Sequence, residues 1–157
     1  MSWASQLMTR VGNAEAAVWF VEAFDRWFVS EGGAPYHNAM APGYSCMGAG
    51  GLAVWNWQAM QIDGSQGSCS AVMDMLCHVR KAEGRVTHLF AGCPGRWREV
   101  SFEGIATPGG FRVSAARSGG KLTRLEVSAT RAGTFRWAEG AEVREAKLEA
   151  GEKRQLV

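Results

Sequence analysis

The stretch FRVSAARSGGKLTRLEVSA, Phe111 to Ala129, decides the fold of the second half of this chain. Phe111-Arg-Val-Ser-Ala and Leu125-Glu-Val-Ser-Ala alternate apolar and polar residues with period two, which places one set of side chains on a buried sheet face. Between them Ser118-Gly119-Gly120-Lys121 is a hairpin turn, because two adjacent glycines accept the positive φ values that a two-residue connection requires. The same period continues outward. Val86 to Phe90, Val100 to Phe102, Phe135 to Trp137 and Val143 to Leu148 read as further short strands. Turns are expected at Ala132-Gly133 and at Ala150-Gly151-Glu152. Arg112, Arg124, Glu126 and Arg136 fall on solvent-facing alternates, and the arginines of this half are read as solvated strand faces. Several short strands with regular turns predict an antiparallel β-sandwich, or half of one, over residues 85–157.

Upstream the period changes to that of a helix. Trp3, Leu7, Met8 and Val11 recur at helical spacing. Gly12 then suits a helix C-terminus and Asn13 the N-cap of the next helix. That second helix is expected from about Ala14 to Glu31, with Ala16, Phe20, Phe24, Trp27 and Phe28 as its apolar face and a stop at Gly32-Gly33. Val18, Trp19 and Val21 leave so little polar circumference that it needs cover on more than one side. A third helix is expected from Ser65 or Ser68 to Ala82, with Val72, Met73, Leu76 and Val79 buried and Asp63 just before its first turn. Between the second and third helices, residues 32–61 form a long segment rich in glycine, with Tyr36, Tyr44, Trp55 and Trp57. Such a loop either presents ring faces to a sugar or caps the open end of a helical core. The chain is thus expected as a helical segment, 1–84, followed by a β-sandwich, 85–157.

Charge follows the same division. Up to Val79 there are two basic residues against six acidic ones; from Arg80 onward there are fifteen against nine. The net charge of the whole is only +2, which gives no electrostatic case for nucleic acid. Hydrophobic residues make up 46 %, enough for a core in 157 residues. Cys46, Cys69, Cys77 and Cys93 include no CxxC and no Cys/His cluster with zinc spacing, so no metal and no cofactor is expected and the thiols read as free. No apolar run is long enough to cross a membrane, and no leader peptide is visible at the N-terminus.

One string carries a resemblance. Gln61-Ile62-Asp63-Gly64-Ser65-Gln66-Gly67 precedes the third helix. After it come His88-Leu-Phe-Ala-Gly-Cys-Pro94, the segment Trp97 to Gly104, Gly109-Gly110-Phe111, Gly120-Lys121-Leu122 and Leu148-Glu-Ala-Gly-Glu. This order resembles the C-terminal third of the α-L-fucosidases of glycoside hydrolase family 95, which typically show Q-I-D-G-N-F-G, a helix, H-L-L-P-A-L-P, then G-G-F and D-G-K-L. The chain departs from that pattern at Ser65-Gln66, at Trp57-Gln-Ala-Met60, and at Phe90-Ala91 and Cys93.

The resemblance implies an α+β chain: the last helices of an (α/α)6-type barrel, then a C-terminal antiparallel β-sandwich. It implies hydrolysis of α-L-fucosyl or related glycosides with inversion and without a metal. Such chemistry needs an acid on one face of the sugar and a water-activating base on the other. By the motif match Asp63 is the catalytic residue, orienting or activating the water, and Gln61 binds substrate. The general acid belongs upstream of anything in this sequence. The chain is then the C-terminal portion of such an enzyme, inactive alone and prone to self-association through faces that the upstream barrel covers. The alternatives are a standalone, non-catalytic glycan-binding or interaction module and, for Asp63, a carboxylate that only caps a helix. His37 is a loop residue within reach of sugar hydroxyls or without a task, His78 and His88 read as structural, and Asp74 as a polar-face helix residue.

Overall fold

A computed structural model describes residues 1–29, 33, 35, 62–139 and 142–157. The expected aromatic loop, 32–61, lies almost wholly outside the described residues. The chain is α+β and divides into two compact units, Met1–Val72 and Met73–Val157.

In the first unit, α1 (Ser2–Arg10) leads through Val11–Asn13 into α2 (Ala14–Phe28). Gly12 takes φ +80°, and the Asn13 side chain accepts a hydrogen bond from the Ala16 N–H at 3.0 Å, so the expected N-cap forms. The face that α1 buries is not its apolar one. Ser5 and Thr9 are fully buried, whereas Trp3 and Val11 are each 72 % exposed. Small side chains let the helices approach, and the Ser5 hydroxyl donates to the Ala17 carbonyl at 2.8 Å. α2 ends three residues before the expected Glu31, because Val29 is already extended and bridges Pro35. Ala17, Val18 and Ala23 form its buried side, while Trp19 is half exposed. Phe24 and Phe28 stack at 5.9 Å.

α3 (Ile62–Leu76) starts earlier than expected and stops earlier too. Its close-packed side is small. A Cβ on Gly64 would stand 3.2 Å from the Phe24 ring, and one on Gly67 would stand 2.6 Å from the Ser2 hydroxyl. Ala71 and Met75 continue the buried side, while Val72 and Met73, expected inside, are partly exposed. No helix among the described residues is long and apolar enough to cross a membrane.

The second unit opens with the last turn of α3 and continues as eight strands. They are β1 (Cys77–Arg80), β2 (Val86–Leu89), β3 (Glu99–Thr107), β4 (Phe111–Ser118), β5 (Lys121–Ala129), β6 (Gly133–Glu139), β7 (Glu142–Leu148) and β8 (Lys153–Gln155). Residues Cys77–Arg80, expected as helix, are a strand because β2 offers them a ladder: Cys77 pairs with Leu89 and Arg80 with Val86. Tertiary pairing overrides the helical spacing of Leu76 and Val79. One sheet has the order β1-β2-β6-β7 and the other β3-β4-β5-β8. All pairings are antiparallel except β2 with β6. The two sheets share one core, with Phe102, Val113, Leu125 and Val127 from one and Phe135, Trp137 and Leu148 from the other.

The turns explain themselves. Gly119 and Gly120 take φ +57° and +83°, and the Glu99 carboxylate accepts from the Ser118 hydroxyl and the Gly119 N–H. In β3 a bulge lies between Phe102 and Ile105, where Gly104 has positive φ and donates its N–H to the Ser114 hydroxyl.

Candidate functional site

Asp63 is the second residue of α3 and its side chain is exposed. It stands in the first turn, where free backbone N–H groups favour a negative neighbour. The position serves either expected role, since a carboxylate that caps a helix and one that meets a ligand from outside both need exposure. Gln61, His37 and the aromatics Tyr36, Tyr44, Trp55 and Trp57 lie outside the described residues.

A densely connected polar group lies in the second unit, across β1 and β2. His78 and His88 face each other in register, with rings stacked 5.2 Å apart and 8° from parallel. His78 Nδ1 donates to the Asp74 carbonyl at 3.0 Å, so that nitrogen carries the proton, and Nε2 is left to accept from Arg80 Nε at 3.4 Å. Arg80 also pairs with Glu83 at 2.9 Å, and Glu83 takes His88 Nε2 at 2.7 Å. Arg80, and after it His88, holds the Glu83 carboxyl below the usual carboxylate range. Each group satisfies another, so the cluster locks the β1–β2 edge rather than leaving a base poised for chemistry. Among the described residues no three His, Cys, Asp or Glu side chains are grouped to hold a metal.

The segment His88 to Pro94 is also held from within. The Phe90 N–H donates to the Leu76 carbonyl at 2.7 Å, and the Cys93 thiol lies 3.5 Å from the Met75 carbonyl. Arg117, expected as a solvated strand residue, reaches across this segment. Its guanidinium donates to the carbonyls of Cys93, Pro94 and Trp97 and lies 5.6 Å from the Phe90 ring centre. Burial pushes the Cys77 thiol up to about 12, with the Asp74 charge adding to it, and the Cys93 thiol to about 11, against the opposing pull of Arg117. Both thiols are buried and unreactive in character, unlike the exposed Cys69.

A second constellation was not visible in sequence. A cleft of about 330 Å³ opens where β2 and β6 begin side by side, next to the β3–β4 turn. Arg85, Arg131 and Arg136 line it, together with Thr87 and Thr134. Arg85 lies far along the chain from Arg131 and Arg136 and meets them because β2 and β6 pair in parallel. No local spacing announces them. Neither a protein-family model nor a curated protein sequence matches this chain.

Proposed function

We propose that this chain is the C-terminal portion of an inverting glycoside hydrolase acting on α-L-fucosyl or related glycosides, inactive by itself because its general acid lies elsewhere. The observation that carries this reading is the order of the Gln61-Ile62-Asp63-Gly64 motif. From Ile62 on it forms a helix with Asp63 exposed on the first turn, and a two-sheet β domain follows. The helices of the first unit fit the last helices of an (α/α)6-type barrel. Trp3, Val11, Trp19 and Ile62, all more than half exposed, are the apolar surface that further barrel helices would cover. In that setting Asp63 orients or activates the attacking water, Gln61 contacts the sugar, and an upstream carboxyl protonates the leaving oxygen.

The chain alone should not turn over an aryl α-L-fucoside, because acid and base must flank one bond. In the complete gene product, Asp63→Asn should lower kcat by about a hundredfold or more with little change in KM, as loss of a general base does. Turnover close to wild type in that variant, or sustained hydrolysis by the isolated chain, would contradict the assignment.

A further inference from the structure

We propose that the arginine cleft at the common start of β2 and β6 is an oxyanion-binding site, which takes a carboxylate, sulfate or phosphate group. Three guanidinium groups border one cleft of about 330 Å³, and none of its lining residues is acidic. Like charges gathered this way repel, and a bound anion offsets that repulsion. The side chains are positioned by backbone carbonyls, which fix geometry without cancelling charge: Arg131 Nε donates to Gly109 at 3.0 Å and Arg136 Nη1 to Gly84 at 3.3 Å. Of the three, Arg136 also forms an ion pair with Glu145, Nε to carboxylate oxygen 3.6 Å, which offsets part of its charge. Arg85 and Arg131 have no carboxylate partner among the described residues. Planar guanidinium forks suit the paired oxygens of these anions, and Thr134 adds a hydroxyl.

The backbone is shaped around these side chains. A Cβ on Gly84 would stand 2.5 Å from Arg136 Nη1, the movable tip of that side chain, and one on Gly110 would stand 2.7 Å from Thr130 Oγ1 and 2.9 Å from Arg131 Cγ, so both arginines pack closely over glycine backbone. Arg85 itself has φ +62°, a left-handed conformation that costs energy in a residue with a side chain. The cleft gathers three guanidinium groups in one small space, which suits a single acidic group.

The test is calorimetric titration of the chain at low ionic strength with sodium sulfate, acetate, D-glucuronate and D-glucose. The site predicts one saturable site per chain for sulfate and glucuronate and none for glucose. Arg85→Gln combined with Arg131→Gln should weaken binding at least about tenfold. Tighter binding of glucuronate than acetate would assign the group to an acidic sugar, and equal binding to a free anion. Arg85→Gly supplies a second variant, which should melt at a higher temperature while losing affinity, because it relieves the left-handed strain and removes one cation. No saturable binding by the wild-type chain, or undiminished binding by the double variant, would overturn the proposal. It makes no use of Asp63, so its failure would leave the hydrolase assignment untouched.

Discussion

Arg117 shows how far a residue's role can lie from its sequence context. Among the arginines of this half it reads as one more solvated strand residue, yet it holds three carbonyls of a loop twenty or more positions away. Strand period reveals which face a residue occupies but not whether a distant loop returns over that face. Replacing Arg117 with Ala should cost about 3 kcal/mol in urea unfolding, since three bonds from a charged donor are lost and partly buried carbonyls are left without that partner. Arg117→Lys should recover less than half of this, because an ammonium lacks the planar fork. A change within about 0.5 kcal/mol would return Arg117 to the solvated class. The two buried thiols make a pH prediction. Both are raised above the ordinary value of 9.0, so between about 9 and 11 the unfolded chain has released protons that the folded one keeps. Stability should therefore fall as pH rises through that window. The fall should be shallower in Cys77→Ala, monitored by tryptophan fluorescence at each pH; an identical slope would remove Cys77 as its source.

At the scale of elements, legibility followed the source of the restraint. The turn of the β4–β5 hairpin is readable to the residue, because Gly119 and Gly120 must supply positive φ and do, whereas the strands run longer than the period shows and shift register at Ala116 and Arg117. Gly120→Val, which forces a branched side chain into φ +83°, should destabilise the chain by about 1–2 kcal/mol by thermal unfolding; unchanged stability would mean the turn relaxes. The Asn13 cap was equally local. α3 was not legible in its bounds, because its end is set by β2 pairing with Cys77–Arg80 and its buried side by glycines that admit Phe24 and Ser2. Apolar periodicity picks out large side chains, whereas α1 and α3 pack through Ser5, Thr9, Gly64 and Gly67, so the stripe that looked buried in each helix is displaced from the one that is.

At the scale of the whole molecule, the α+β order of helices followed by two sheets is readable from the change of period near Gly84. The parallel β2–β6 contact is not, since it joins strands separated by an intervening three-strand sheet segment. That contact builds the arginine cleft, which is why the candidate site legible in sequence was the local motif around Asp63 and the other came only from the fold. The proposed activity rests on the first unit being part of a larger helical barrel. Its exposed tryptophans should then draw the isolated chain into concentration-dependent self-association, seen as a rising sedimentation coefficient with loading; a monomer at all concentrations would mean that those faces need no cover.

The most direct measurement is the nucleotide sequence immediately upstream of the Met1 codon. The account predicts an open frame continuing in phase and encoding further amphipathic helices together with a carboxyl residue able to serve as general acid. In-frame stop codons and a ribosome-binding site just before Met1 would contradict it, because the chain would then be made without the residue that hydrolysis requires.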